Sequence, residues 1–238
     1  MVTDDLGTMS LVEHLAELRR RLIITIAAVA VGTVIGFIFS TQAIDVLRAP
    51  LPEQYRTLYF LGPLGAFGAK IQVAFFVGVA LAMPVILYQI WRFVTPGLTA
   101  RERRLVWPTL IGAVILFALG ILVGYAILPF ALGFLLGFAS PSLPPLLTID
   151  EYVGFVSIML LAFGVVMEFP ILLIGLNRAG VLSYRLLAER RRQIIVGIVI
   201  FAIVVTPGGD PFSPLLLSSV MYALFEGSLL VMRRFGRS

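Results

Sequence analysis

Four acidic residues stand out in this 238-residue sequence because they lie in apolar or arginine-rich surroundings. Glu168 falls within the apolar run GVVMEFPILLI, and Glu226 lies inside the last apolar segment. Glu17 and Glu102 lie beside clusters of arginine. A carboxylate in hydrocarbon is unfavourable unless it is protonated, paired or hydrated, and a carboxylate at a surface can accept guanidinium groups bidentately. The chemistry that these residues offer is therefore the binding of cations or polar groups.

The residues of the common catalytic sites are missing. His14 is the only histidine, which excludes HExxH zinc sites, and cysteine is absent, which excludes thiolate metal sites and structural disulfides. The sequence contains no P-loop, no GxSxG motif and no pair of intramembrane aspartates suited to an aspartyl protease. We therefore predict a protein that binds, conducts or organises, that is not an enzyme, and that uses no cofactor or metal.

The two acids beside arginines also have a structural interpretation. Glu17 can pair with Arg20 or Arg21 at helical spacing, and Glu102 completes a capping box that begins at Thr99. The functional alternative is that both carboxylates receive guanidinium groups from another polypeptide. Residue chemistry alone favours the structural interpretation.

The two acids in apolar surroundings differ from each other. Glu226 can reach Arg233 or lipid headgroups, so a structural role is favoured. Glu168 can either lock two helices together through a hydrogen bond or serve as a polar contact for a partner helix or as a proton acceptor. The nearby Pro170 loosens the helix and favours the functional alternative.

The composition requires a membrane around these residues. Hydrophobic residues make up 60% of the chain and charged residues 13%. A soluble domain of this size could not bury so much apolar surface. We predict an all-α membrane protein that forms a single transmembrane domain over residues 1–238 with six spans. The approximate bounds of these spans are 22–39, 64–91, 105–128, 152–176, 194–205 and 212–232.

Local signals predict how the elements begin and how long they are. Ser10 and Glu13 match a capping box, and leucines then recur at helical spacing, which predicts an amphipathic helix over 10–21 in the membrane interface. Thr148 and Glu151 match another capping box ahead of the fourth span. The fifth span has only about 12 residues, or roughly 18 Å of helix.

The distribution of arginine predicts the orientation. If both termini and the segments 92–104 and 177–193 are cytoplasmic, only Arg48, Arg56 and Lys70 of the 18 basic residues lie on the other side. The high sequence pI then reflects topology and attraction to anionic lipids, with no role for nucleic acid. The N-terminal segment does not look like a cleaved signal peptide, because its first charges are acidic.

Four motifs follow one another in this topology. They are HLAELRRRL over 14–22, PVILYQIWRFVTPGLTARERR over 84–104, GVVMEFPI over 164–171 and TPGGDPFSP over 206–214. In this order they resemble the motifs of the TatC family, the polytopic subunit of the twin-arginine protein translocase. The resemblance covers nearly the whole chain. It implies a cupped bundle of six helices with short fifth and sixth helices and both termini in the cytoplasm.

The resemblance also implies a signal-peptide site. In the TatC family, acids at the cytoplasmic surface recognise the paired arginines of the signal peptide, and these acids fall on Glu17 and Glu102. Phe93 falls beside them as an aromatic neighbour, and Arg19 belongs to the same N-terminal motif. For these two acids the resemblance favours the functional alternative.

A second implied site lies within the membrane. The buried acid of the family's fourth helix falls on Glu168, on the concave face, where it meets polar groups of the single-span subunits TatA or TatB. Pro50 and Asp210 fall on outer-loop positions of the family. The resemblance thus implies a receptor in the cell (inner) membrane that supports export of folded proteins by the proton-motive force. Lipids surround it, and self-association is compatible with this role.

Two other functions are compatible with the residues. An ion-coupled small-solute transporter would use Glu168 as a proton carrier, although Pro84 and Pro170 are not in matching contexts and no convincing repeat is present. A purely structural membrane scaffold would respond to Glu168→Gln only through its stability.

Overall fold

The computed structural model describes residues 11–62, 64–94, 106–140, 142, 144–178 and 180–235. The regular structure over these residues is helical, apart from one isolated β-bridge between Tyr59 and Thr148. The predicted all-α class is therefore confirmed. The described elements are α1 Leu11–Ile38, α2 Ser40–Arg48, a 3-10 turn Glu53–Tyr55, α3 Gly65–Val94, α4 Val106–Leu136, α5 Ile149–Val166, α6 Phe169–Arg178, α7 Tyr184–Glu189, α8 Arg191–Val205 and α9 Phe212–Phe235.

Five segments of the described chain are long and apolar enough to cross a membrane. They are Leu15–Ile38, Gly65–Arg92, Trp107–Leu136, Ile149–Arg178 and Phe212–Arg234. Helix α8 has 15 residues, or about 22 Å of helix, which is shorter than a hydrocarbon layer of about 30 Å. A sixth span at α8 stays a prediction. Helix α9 has 24 residues, and its apolar segment of 23 residues is the shortest of the five, so the sixth helix is short only relative to the other spans.

Two helices are longer than a single predicted span. Helix α1 continues without interruption from Leu11 to Ile38, so the segment predicted over 10–21 runs directly into the first span, and its place in the interface stays a prediction. Helix α4 passes through Pro129 and ends at Leu136. A proline removes only one helical hydrogen bond, and a helix packed among others in a membrane tolerates that loss. The apolar residues after the proline therefore extend the helix.

Small residues set the spacing between the first long helices. Helix α1 packs mainly along α3. A β-carbon added to Gly32 would lie 2.6 Å from the carbonyl oxygen of Gly78, and one added to Gly36 would lie 2.5 Å from that of Ala74. A real β-carbon does not lie this close to a carbonyl oxygen. Only glycine at these two positions therefore lets the backbones of α1 and α3 come together.

The core lies between α4, α5 and α9. Helix α5 contributes the most buried side chains, among them Met159, Leu160 and Phe163. Helix α9 adds Leu217 and Phe225, both with no exposed surface. Helix α3 packs on both α4 and α5. The short helices α7 and α8 are joined to this core mainly through α9.

Tyrosine hydroxyls hold α2 against the core at one end of the bundle. Tyr152 donates a hydrogen bond to the carbonyl of Leu47 at 2.7 Å, and Tyr125 donates to the carbonyl of Val46 at 2.8 Å. These are among the last carbonyls of α2, which lack their i+4 helical partners, although that of Val46 also accepts the N–H of the C-cap residue Ala49 at 3.2 Å. Two distant tyrosines therefore complete the C-terminus of this helix.

The start of α5 is completed by the backbone of a distant loop. The N–H of Ile149 donates to the carbonyl of Tyr59 at 2.8 Å, and the N–H of Tyr59 donates to the carbonyl of Leu147 at 3.0 Å. Thr148 is the N-cap residue, but its hydroxyl accepts no capping hydrogen bond. The predicted capping box with Glu151 is therefore wrong, since the loop supplies an acceptor in its place.

The antiparallel packing gathers most of the basic residues at one end. The start of α1, the end of α3, the start of α8 and the end of α9 all lie there, as their mutual contacts show. We call this the arginine-rich end, and the end that carries α2 the opposite end. The arginine-rich end holds Arg19, Arg20, Arg21, Arg92, Arg190, Arg191, Arg192, Arg233 and Arg234.

Candidate functional site

The first candidate site lies at the arginine-rich end, where the start of α1 meets the end of α3. The guanidinium of Arg21 forms an ion pair with Glu17, one helical turn earlier. It also donates to the backbone carbonyl of Gln89 at 3.4 Å. Arg21 is only 9% exposed. This one side chain therefore ties α1 to α3 and holds Glu17 in place.

Glu17 keeps one carboxylate oxygen without a partner. Its Oε2 is buried and accepts no hydrogen bond from the described residues. Glu17 borders a cavity of about 130 Å³, which is lined by Glu17, Arg20, Arg21, Ile24, Gln89 and Arg92. A donor that enters this cavity can reach the Glu17 side chain. The lining holds one carboxylate and three guanidinium groups, so a cationic ligand needs further negative charge in order to bind.

Aromatic side chains continue the site along the end of α3. The guanidinium of Arg92 lies 6.0 Å from the ring centre of Tyr88, and its Nη1 donates to the Tyr88 hydroxyl at 3.4 Å. The Tyr88 ring in turn lies 6.1 Å from the ring of Trp107 at the start of α4. Trp107 is 65% exposed. These aromatic side chains thus border the Glu17 cavity through Arg92.

Arg19 is not brought together with Glu17. It is exposed on nearly the opposite face of α1 from Glu17 and lines a separate depression of about 490 Å³ with Arg20 and Ile23. Two residues along a helix are rotated by about 200°, so this separation follows from helical geometry. Arg20 lines both the cavity and the depression and lies between the two residues.

Two predicted residues of this site cannot be placed against the cavity. Phe93 lies in the last turn of α3, but its side chain is outside the described part of the chain. Glu102 lies wholly outside it. The capping boxes predicted at Ser10 and Thr99 also fall outside the described residues.

The second candidate site is a break between α5 and α6. Helix α5 ends at Val166, Met167 and Glu168 form a turn, and α6 begins at Phe169. Pro170 has no N–H group, so the helical bond that would join α6 to α5 at this point cannot form. The N–H of Glu168 donates instead to the carbonyl of Val165 at 3.0 Å. The proline therefore places Glu168 at a discontinuity inside an apolar segment.

The carboxylate of Glu168 has no partner among the described residues. Both of its oxygens are buried and neither accepts a hydrogen bond. Glu168 lines two adjoining cavities of about 250 and 570 Å³, which we call the Glu168 groove. The larger one is lined on one side by Met83, Leu87 and Ile90 of α3, and on the other by Ile194, Gly197, Ile198 and Phe201 of α8. Apart from Glu168, the residues that line the larger cavity are apolar. The Glu168 carboxylate is therefore the group that a polar atom of a ligand would contact there.

The two predicted outer-loop residues lie at the opposite end and have structural contacts. Asp210 is 2% exposed, and its Oδ1 accepts the N–H of Ser213 at 2.7 Å in the first turn of α9. Pro50 follows the end of α2 and precedes Leu51, which is 1% exposed. Asp210 thus acts as a helix cap, and Pro50 helps to end α2.

The sequence assigned the wrong partner to Glu226. Its Oε2 accepts a hydrogen bond from Nη2 of Arg191 at 2.7 Å, whereas the sequence had suggested Arg233 or lipid headgroups. Arg191 and Glu226 are separated by 35 residues in the chain. Helical spacing gives no signal for such a pair. Only the contact between α8 and α9 brings the two side chains together.

The described parts of both candidate sites offer groups for binding. Within the residues that the structure describes, no three histidine or acidic side chains are grouped so that they could hold a metal ion. The described parts of the two sites each offer a single carboxylate, one beside arginines and one in an apolar groove. Each carboxylate can accept a hydrogen bond from a polar group, and the Glu17 cavity needs further negative charge in order to hold a guanidinium.

The family model described as Sec-independent protein translocase protein (TatC) matches residues 13–219. The chain belongs to the TatC family. The TatC protein of Deinococcus radiodurans is 38% identical over 97% of this chain and 88% of its own length. That of Aquifex aeolicus is 39% identical over 94% of each. The chain spans 65% of the TatC protein of Frankia casuarinae, at 41% identity.

Solved structures agree with this assignment. A crystal structure of a twin arginine translocase receptor, TatC, has a TM-score of 0.78 and 38% sequence identity, and it covers 93% of this chain and 99% of the solved chain. A second structure, determined in the detergent DDM, has a TM-score of 0.79. As a TatC protein, the chain is a multi-pass membrane protein and a protein-transport subunit, which agrees with the prediction that it is not an enzyme.

Proposed function

We propose that this chain is the core receptor subunit of a twin-arginine translocation system. It binds twin-arginine signal peptides at its arginine-rich end and, with TatA and TatB partners, supports export of folded proteins by the proton-motive force. The observation that carries the proposal is the half-satisfied carboxylate of Glu17 at a surface cavity of a TatC-family chain. A solved relative is described as a twin arginine translocase receptor, which supports the same role.

Binding uses the geometry around Glu17. Arg21 holds one side of the carboxylate, and a peptide guanidinium donates to the free Oε2. Glu102 supplies the second negative charge that the described cavity lacks, and Phe93 packs against the peptide. Arginine is preferred to lysine, because its planar fork donates two hydrogen bonds in fixed directions. Arg19 lines the depression that adjoins the cavity at Arg20, and it contacts the peptide outside its paired arginines.

The Glu168 groove receives the transmembrane helix of a single-span partner. Its apolar lining fits such a helix, and the unpartnered carboxylate provides a hydrogen-bond acceptor for a polar group on that helix. A polar contact within a membrane specifies which helices associate and in which register. The groove thereby distinguishes TatA or TatB from other membrane helices.

The protein lies in the cell (inner) membrane with its arginine-rich end in the cytoplasm. Arginine is enriched on the cytoplasmic side of membrane proteins, and most of the described arginines gather at one end of this bundle. Both termini are then cytoplasmic. Pro50 and Asp210 lie on the outer side, where they maintain the loops of the opposite end.

Photocrosslinking from the cavity tests the signal-peptide role. A photoreactive residue replaces Ile24, which lines the cavity without contributing charge, and the probe is a labelled twin-arginine peptide. We expect crosslinks that fall by about tenfold or more in Glu17→Ala and in Glu102→Ala, because each change removes a charge-assisted hydrogen bond. A twin-lysine peptide should crosslink weakly.

Two controls make this experiment specific. Ile26, on the same helix but outside the cavity lining, should give little crosslinking. Glu189→Ala removes an exposed acid that pairs with Arg185 at the same end, and it should leave the yield unchanged. Equal crosslinking in wild type, Glu17→Ala and Glu102→Ala, with all three inserted in the membrane, would contradict the proposal.

A further inference from the structure

The ion pair between Arg191 and Glu226 differs from the other ion pairs of the described structure. The other four join residues three or four positions apart on one helix or turn. Arg191 and Glu226 instead join α8 to α9 at 2.7 Å. Their side chains are 48% and 27% exposed, so the pair is partly withdrawn from solvent. It is therefore the ion pair that can control how two helices sit relative to each other.

Helix α8 has few other attachments. It packs mainly on α9, with a smaller contact to α7. Only Ile198 and Ala202 are buried along its 15 residues. Its outward face is exposed at Val199, Ile203 and Val204. Apolar contacts of this kind are non-directional, and in lipid they add little preference for one position of the helix over another.

The position of α8 sets the width of the Glu168 groove. Ile194, Gly197 and Phe201 form one wall, and α3 forms the facing wall. Ile194 lies one turn after Arg191, so the ion pair acts directly on the first part of this wall. If α8 moves away from α9, the distance between the two walls changes as well.

We propose that Arg191 and Glu226 are positioning residues that hold α8 at the spacing at which the Glu168 groove accepts a transmembrane helix. The inference rests on the partner-binding role proposed above for this groove. Neither residue lines the groove. Both act through the wall that α8 provides.

Removing either residue of the pair changes the environment of the other, which can then move. Without Glu226, the long Arg191 side chain is free to extend to lipid headgroups and to draw the start of α8 with it. Without Arg191, the Glu226 carboxylate loses its hydrogen-bond donor, and its Oε1 is already buried without a partner. Both changes release α8 from α9.

Distance measurements in the full chain test the positioning role. The sequence has no cysteine, so spin labels can be attached at single introduced cysteines. Leu81 on α3 and Ile200 on α8 are exposed and lie outside the groove lining. In lipid bilayers, Glu226→Gln should lengthen and broaden the distribution of distances between these labels. The charge swap Arg191→Glu with Glu226→Arg should restore the wild-type distribution.

A matched ion pair at the same end serves as the control. Glu189→Gln removes the partner of Arg185 at 2.9 Å, but that pair lies within one short helix. It should leave the distribution unchanged. A wild-type distribution in Glu226→Gln overturns the inference, and so does a swap that fails to restore it. If Glu226→Gln does not accumulate in the membrane, Arg191→Gln is measured in its place, with the same two outcomes.

A crosslinking measurement separates this inference from the proposed function. Photoreactive residues at Phe201 and Leu172, on the two sides of Glu168, report contact with the single-span partners in the assembled translocase. Glu226→Gln should lower the yield at Phe201 by roughly two- to fivefold, the range that a half-exposed ion pair allows. An undiminished yield overturns the positioning role alone. No wild-type crosslink at either position would contradict the proposed function of the groove.

Discussion

The carboxylate of Glu168 shows what a single residue contributes in this protein. Buried polar atoms nearly always have a hydrogen-bond partner, and both oxygens of Glu168 lack one among the described residues. A few hydroxyl groups are also unsatisfied, such as that of Ser157, but they carry no charge. An unpartnered carboxylate is far less favourable in an apolar environment. Its retention is understandable if it serves a partner that is absent from the isolated chain.

Replacing Glu168 should abolish transport without lowering the stability of the folded protein. Because the carboxylate has no partner to lose, we expect Glu168→Leu to leave the folded protein as stable as wild type, or more stable by about 1–3 kcal/mol. Transport of a twin-arginine cargo should be lost. Thermal unfolding in detergent and export in cells measure the two properties.

Glu226→Leu is the matched control for this change. It also removes a carboxylate from an apolar segment, but that carboxylate is paired with Arg191. We expect it to lower stability, since it leaves an arginine without its partner. A loss of stability in Glu168→Leu as large as that in Glu226→Leu would show that Glu168 is structural.

At the scale of helices, α1 is joined to the rest of the molecule by close contact between its backbone and that of α3. Most of the apolar surface of α1 remains exposed, so few side chains anchor it. Gly32 and Gly36 of α1 and Gly78 of α3 allow the backbones of the two helices to come into contact. Gly32 and Gly36 lie four residues apart, but they are two of 22 glycines, so their spacing alone is a weak signal for this contact.

Adding one methyl group at this contact should weaken it. In Gly78→Ala the new β-carbon would lie 2.5 Å from the backbone nitrogen of Thr33, so the helices must separate. We expect a loss of about 1–3 kcal/mol of stability, which is typical of overpacking. Gly68→Ala on the same helix meets nothing within 4 Å and should be neutral or slightly stabilising. Equal unfolding temperatures for the two variants would argue against close packing at Gly78.

For the whole molecule, the gathering of arginines at one end predicts a single orientation. Two exposed positions on opposite ends can test it: Glu53 has a side chain 90% exposed and Arg185 one that is 88% exposed. In the cysteine-free chain, we expect a membrane-impermeant thiol reagent to label Glu53→Cys in intact cells. Arg185→Cys should react only after permeabilisation. The reverse pattern of labelling would overturn the proposed orientation.

Several features of the whole molecule could be predicted from residue order alone. Hydropathy is a local property, so the all-α membrane class and the apolar segments follow from composition and from runs of residues. The four motifs around Glu17, Glu102, Glu168 and Asp210, in this order, sufficed to indicate the TatC family. The pairing of Glu17 with Arg21 was one of two alternatives, because neighbours on a helix lie three or four residues apart.

Only the tertiary structure decided which distant groups meet. Glu226 pairs with Arg191 of another helix and not with Arg233, and the start of α5 bonds to the backbone of Tyr59 and not to its own threonine. It also decided that Glu168 lies in a break that opens to a groove between α3 and α8. The physical reason is that a polar group takes whichever partner the packing of whole helices brings near it. That packing depends on contacts between residues far apart in the chain, which no local pattern encodes.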